Sequence, residues 1–237
     1  EDGNFELDEE ASDGTLQKIE QDGVTVYPNY YIEEETKDVD STLRIFKPRI
    51  DVDKVCLMQG KMPEKADEIA IDRMYADNNE LKVGDDLKVG KQSLKITGLV
   101  ALSDYSALFS NTSDMMFDAT KFGVAIMTED GFATLDDTHI HYSYAWKYND
   151  PPKNDTEAKT MGEDFLKKLA KRGTIVNYIP EFVNQAIIFT GDDMGGDSAM
   201  FTAFLYIVVA IIAFVFAITT SNTISKEATV IGTLRAS

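Results

Sequence analysis

The stretch LMQGKMPEKADEIAIDRMYADNNELKVGDDLKVGKQSLKITGLVAL (57–102) sets the fold class. Inside it, EIAI (68–71) is an apolar run that reads as a strand. DRMYADNNELKVGD (72–85) reads as a short helix closed by a glycine turn, with Asp72 placed to cap it and Met74, Tyr75 and Leu81 turned inward. DLKV (86–89) then passes through Gly90 into SLKITGLVAL (93–102). There Leu94, Ile96, Val100 and Leu102 share one face, while Lys95 and Thr97 point the other way.

Working outward towards the start, VTVYPNYYI (24–32) is β-branched and aromatic, one strand in which Pro28 marks an edge or a bulge. EEETKDVDS (33–41) reads as a solvated loop, and TLRIF (42–46) and VCL (55–57) as strands. Leu7, Ala11, Leu16 and Ile19 give a weak helical spacing over 7–21, ended by Gly23. Towards the other end, FGVAIM (122–127) predicts a strand and TEDGFATL (128–135) a helical turn. HIHYSYAWKY (139–148) alternates: Ile140, Tyr142, Tyr144, Trp146 and Tyr148 take one face, and His139, His141, Ser143 and Lys147 the other. After NDPPKND (149–155), a helix over 156–171 carries Ala158, Met161, Phe165 and Leu169 on one stripe, and TIVNYI (174–179) is a further strand. A helix from Pro180 leads on towards the tail. Strands and helices alternate irregularly, which predicts an α+β domain, as one body or as two interleaved lobes.

The tail is of a different kind. AMFTAFLYIVVAIIAFVFAI (199–218) has no charge, Gly or Pro, and at ~1.5 Å per residue it covers the ~30 Å of a bilayer's hydrocarbon core. We read one transmembrane helix over 199–220, preceded by an extracytoplasmic domain over 1–198 and followed by the start of a cytoplasmic loop over 221–237. Of 237 residues with a net charge of −18, only Lys226, Glu227 and Arg235 are charged beyond position 198, so the preceding domain carries −19. Lys226 and Arg235 place the C-terminus inside and the acidic domain outside. That acidity excludes a nucleic-acid partner, which needs clustered Lys and Arg. The chain begins without Met and stops about 19 residues past the span; both ends read as cuts from a larger protein, with an earlier span accounting for export.

Candidate chemistry is sparse. His139 and His141 are the two histidines and share a strand face that could hold a metal, but no third ligand is marked, and two solvent-facing strand residues are the stronger reading. GDDMGGD (191–197) clusters three aspartates without the alternation of a calcium loop and reads as a bent joint. Cys56, the lone cysteine, rules out a disulfide within the chain and reads as a small core residue. NTS (111–113) and NDT (154–156) are glycosylation triplets that arise readily by chance. No P-loop, G-x-G-x-x-G, H-E-x-x-H or G-x-S-x-G occurs, so the chain reads as a non-enzyme with no cofactor of its own. Tyr27, Tyr30, Tyr31, Tyr105 and Phe109 either line a groove for a peptide or lipid, or pack into the core.

Two stretches carry a family resemblance. The block 57–102 resembles the extracytoplasmic core of MacB/FtsX-type ABC transporter permeases, in which a G-(R/K)-x-P turn, an E-I-A strand, a helix, L-x-V-G-D and an (I/V)-x-G-(I/L)-V strand recur in that order. SNTISKEATVIGTLRAS (221–237) is similar to the stretch after their second membrane helix, with Val230 where Glu is common. The resemblance implies a MacB-periplasmic-core-like α+β domain followed by a single membrane helix in a bacterial cell membrane. It implies a non-catalytic permease, fitted either for export or for mechanotransmission, coupled to a separate P-loop ATPase subunit that binds the ATP. Membrane lipid and the remaining permease helices are further partners, and a peptide, lipid or cell-wall-associated ligand is the external one. Ile231, Gly232, Leu234 and Arg235 match the motif and would face the ATPase, Ile231 and Leu234 from one helix face. The alternative is a membrane-anchored extracellular sensor or ligand-binding domain.

Overall fold

A computed structural model of the chain describes the backbone of residues 1–236, and the side chains of all of these except 137, 192–195, 229–231, 233, 234 and 236. In chain order the structure runs β1 (Gly3–Leu7), α1 (Asp13–Glu20), β2 (Val24–Pro28), β3 (Tyr31–Thr36), β4 (Ser41–Phe46) and β5 (Val55–Gly60). It continues with β6 (Glu68–Asp72), α2 (Arg73–Asn78), β7 (Asp86–Val89), β8 (Gln92–Leu102), β9 (Phe122–Ile126) and α3 (Glu129–Phe132). The last elements are β10 (Ile140–Tyr148), α4 (Asp155–Leu169), β11 (Ile175–Pro180) and α5 (Gln185–Ala236). Residues Glu1–Thr190 form one compact unit and Gly191–Ser237 a second.

Within the first unit the strands join in the order β11-β1-β10-β3-β4-β9-β6-β8-β5, with β2 beside β10 and β7 beside β3 and β8. Two large cores divide it into interleaved lobes, and a third, small cluster joins Ala107 and Phe109 to Ala186. One lobe is made from the two ends of the unit: Phe5, Ile19, Val24, Tyr144, Trp146, Phe165 and Leu169 are packed between β1, β2, β10, β11 and the two helices α1 and α4. The other is the middle of the chain, where Ile45, Ile69, Ile71, Tyr75, Leu94, Val100 and Val124 fill the space under α2 and α3. The lobes meet where Ile140 and His141 of β10 pair with Ile32 and Tyr31 of β3.

The block 57–102 folds as its pattern predicts. β6 runs parallel to β8, and Asp72 Oδ1 accepts from the backbone N–H of Met74 and Tyr75, capping α2 as its position implies. Gly60 has φ of 78°, and a Cβ there would strike the Thr97 carbonyl oxygen, so glycine is required where β5 ends its antiparallel pairing with β8. Glu68 accepts from the amides of Glu64 (2.8 Å) and Lys65 (3.3 Å), which fastens the G-K-M-P turn to β6. Those amide bonds, that of Glu64 first, hold its carboxyl below the ordinary value.

Several expectations are corrected. Residues 24–32 are two strands rather than one, because the chain leaves β2 at Pro28 and starts a new pairing at Tyr31. Residues 33–36 are strand rather than loop: Glu33 to Thr36 pair with Arg44 to Ser41, and their acidity reflects the half-exposed side of a hairpin. The first helix begins at Asp13 after the Ser12 cap, and Leu7 belongs to β1. Cys56 is exposed, since β5 is an edge strand open to solvent. The backbone over 191–197 is helical rather than bent.

The second unit is the helical remainder of the chain. Among the described residues one helix, over Gln185–Ala228, is long and apolar enough to cross a membrane, and none of its most apolar window is buried.

Candidate functional site

The first lobe's sheet has two unlike faces because its strands alternate. Phe5, Leu7, Tyr144 and Trp146 go to the core; Asn4, Glu6, His141 and Ser143 go to the other side. Register then assembles a row across three strands. Asn177 of β11 lies opposite Glu6 of β1, and Glu6 lies opposite Ser143 of β10. Asn29 extends the row, its amide N–H donating to the Ser143 carbonyl at 2.8 Å. This row is the floor of a cleft of about 390 Å³.

One wall comes from the second lobe. Tyr31 stacks on His141 at 4.4 Å between ring centroids and donates its hydroxyl to Glu6 Oε2 at 3.2 Å. His141 Nδ1 meets Glu6 Oε1 at 2.8 Å. On the far side of Tyr31, the Arg44 guanidinium lies 4.5 Å from the ring centroid. Burial raises the Tyr31 phenol well above its ordinary value and keeps it a neutral donor.

The opposite wall is an irregular strap over 103–121, between β8 and β9, and Arg44 holds it to the sheet. Its Nε and Nη2 donate to Glu33 Oε1 at 2.9 and 2.6 Å. Nη1 donates to the Tyr105 hydroxyl at 2.6 Å, and Nη2 also donates to the Ser110 carbonyl at 3.0 Å. Burial by itself would lower the Arg44 pKa, but Tyr105, Tyr31 and Glu33 carry it above its ordinary value, so the charge persists throughout the accessible pH range. At the strap's root Arg49 makes a two-pronged pair with Asp104 at 2.7 and 2.8 Å, both side chains about 95% buried. At its other contact the Ser106 hydroxyl reaches the Ala186 and Ile187 carbonyls at 2.8 and 2.9 Å. Phe109 and Phe117 pack edge-on against Phe189 at 5.3 and 5.6 Å. The strap is therefore fixed both to β4 and to the first turn of α5.

The aromatic set expected to share one groove divides between two. Tyr31, Tyr105 and Phe109 line this cleft, while Tyr27 and Tyr30 border a separate recess with Lys47 and Pro48. His139 and His141 do not share a face: His139 lies in a tight turn before β10, and only His141 enters the cleft. His141 keeps the polar side expected of it, its side chain 36% exposed, with Glu6 and Tyr31 holding it in place. Among the described residues no group of three or more His, Cys, Asp or Glu is placed to hold a metal. Gly232 and Arg235 are exposed on the last turns of α5; the side chains of Ile231 and Leu234, like those of Asp192 and Asp193, lie outside the described residues. Glu6, Arg44 and Asn29 were not singled out by sequence. The available signal for Glu6 was the alternation in GNFEL, which marks a half-buried strand.

No family model matches the chain, and no curated protein matches it. Among solved structures it is similar to the extracellular domain of the noncanonic ABC-type transporter YknZ from Gram-positive bacteria, at 14% identity and a TM-score of 0.40, over 73% of this chain and 100% of that one. It is also similar to the periplasmic region of MacB from Actinobacillus actinomycetemcomitans, at 12% identity and a TM-score of 0.38, over 74% of this chain and 88% of that one.

Proposed function

We propose that this chain is the extracytoplasmic domain and following membrane helix of a MacB/FtsX-type ABC transporter permease. It is a non-catalytic subunit whose external domain is moved by ATP hydrolysis in a separate P-loop ATPase. The supporting observation is that the motif residues of 57–102 each do a structural job in one substructure. Gly60 permits the close β5–β8 pairing, Glu68 pins the turn, and Asp72 caps α2. An exposed apolar helix follows the same domain. The charge flanks support an acidic domain outside and Lys226 and Arg235 inside.

The strap supports transmission of movement. Ser106 grips the first turn of α5, and Arg44 ties the same strap to β4, so a displacement of that turn is passed to the cleft wall. The expected coupling surface is Ile231, Gly232, Leu234 and Arg235. Replacing Ile231 and Leu234 together by Asp in the full-length protein uncouples the partner's ATPase from transport while the external domain keeps its fold. Unchanged coupling in that variant removes the role assigned to this stretch. The second reading, a membrane-anchored ligand-binding or sensor domain, draws on the cleft itself; a signalling domain after Ser237 in the full-length protein would decide for it.

A further inference from the structure

From the floor of the cleft we infer a binding site for the primary ammonium group of a small hydrophilic ligand. The inference stands on the cleft alone and does not depend on the permease assignment.

Asn29 and Ser143 are 8% and 6% exposed, and both open on the cleft. Among the described residues neither side chain has a hydrogen-bond partner. Their polar atoms open to the cleft rather than being sealed in the core, so both are free to bond a ligand there. Two such groups follow one carboxylate along the row, since Ser143 sits opposite Glu6 and Asn29 is bonded to the Ser143 backbone. Asn177 lies opposite Glu6 on the other side, its Oδ1 already accepting from Tyr178 and its amide NH2 remaining.

The charge selects the ligand. Glu6 receives one hydrogen bond on each oxygen, from His141 and from Tyr31, which leaves lone pairs on both. No Arg or Lys pairs with it, since Arg44 is spent on Glu33; the one basic partner of Glu6 is His141, and with that imidazole neutral the carboxylate keeps its charge for the ligand. An anion would meet this carboxylate inside a chain of net −18. A metal ion would find a single carboxylate in the floor, and no metal-holding group exists among the described residues. An apolar group would leave Asn29 and Ser143 unsatisfied. A primary ammonium brings three donors and one positive charge. Glu6 and the Ser143 hydroxyl, on facing strand residues at ~4.5–5.5 Å Cβ spacing, supply acceptors for that ammonium, and the Asn29 amide, one strand further along the row, meets a second polar group of the same ligand. The Asn177 NH2 then donates to a hydroxyl or carbonyl beside the amine.

An amine of this kind comes from an amino acid or from an amino sugar, and a cleft of about 390 Å³ admits either at the size of one unit. The test titrates lysinamide and glucosamine, each beside its fully N-acetylated form, into the whole chain in nanodiscs, with calorimetric affinity and thermal midpoint as readouts. At least one amine binds and raises the midpoint; the one that does identifies the source. Acetylation abolishes binding, and Glu6→Gln weakens it about tenfold or more. Ser143→Ala and Asn29→Leu weaken binding while leaving the midpoint of the empty protein unchanged or higher, which distinguishes a ligand site from a structural network. The inference is overturned if neither amine binds, if the acetylated forms bind as well, or if both variants lower the empty midpoint without changing affinity.

Discussion

Arg44 offers a measurable test of how the strap is held. Its side chain is 14% exposed and it makes four hydrogen bonds: two to Glu33, one to the Tyr105 hydroxyl and one to the Ser110 carbonyl. Arg44→Met keeps an unbranched apolar stem and removes all four, together with the guanidinium 4.5 Å from the Tyr31 ring centroid. Breaking a fully buried ion pair costs ~3–5 kcal/mol. Glu33 is 33% exposed, so water takes up part of its released charge, and the expected loss falls to about 2–3 kcal/mol. Arg44→Lys keeps the charge but loses the planar fork that spans strand and strap, for a loss of about 1–2 kcal/mol. Urea unfolding of the whole chain gives the two values, and a cycle with Glu33→Gln gives a coupling of about 1–2 kcal/mol. Amide exchange supplies the location, with faster exchange over residues 103–118 and little change in β6 and β8. A loss below ~0.5 kcal/mol in Arg44→Met with unchanged exchange in the strap would refute the lock.

Three further outcomes are expected. Glu68 has a folded pKa below its ordinary 4.5, so its contribution is complete above that pH and is lost as pH falls through the folded value; Glu68→Gln lowers neutral stability and flattens the acid limb of the stability curve, and an unaltered acid limb counts against the turn-pinning role. Gly60→Ala, at φ of 78°, loses about 1–2 kcal/mol from backbone strain alone, and more from the Thr97 carbonyl, as read by thermal unfolding. Cys56 on the open edge of β5 reacts with an aromatic disulfide reagent in the folded protein within about tenfold of its unfolded rate; protection until unfolding would return it to the core.

The sequence by itself determined the local elements with strong periodicity and clear punctuation. β6, α2, β7 and β8 follow from an apolar run, a capping aspartate and alternating strands, all short-range features. The membrane-length helix follows from composition alone, because twenty uncharged apolar residues have few other stable destinations. Where charge and alternation conflict, local reading fails. EEET looks like loop because its outward side is acidic, yet its backbone is held by β4, a partner no local rule names.

The cleft belongs entirely to tertiary structure. Glu6 and His141 are 135 positions apart, and Asn177 meets Glu6 across a pairing of the unit's first and last strands. Their meeting depends on register between strands far apart in the chain. A slip of one residue in β1 would turn Glu6 into the core and Phe5 into the cleft. Alternation announced that these strands have a polar face; only the pairing of β11, β1 and β10 decided which polar residues stand in one row.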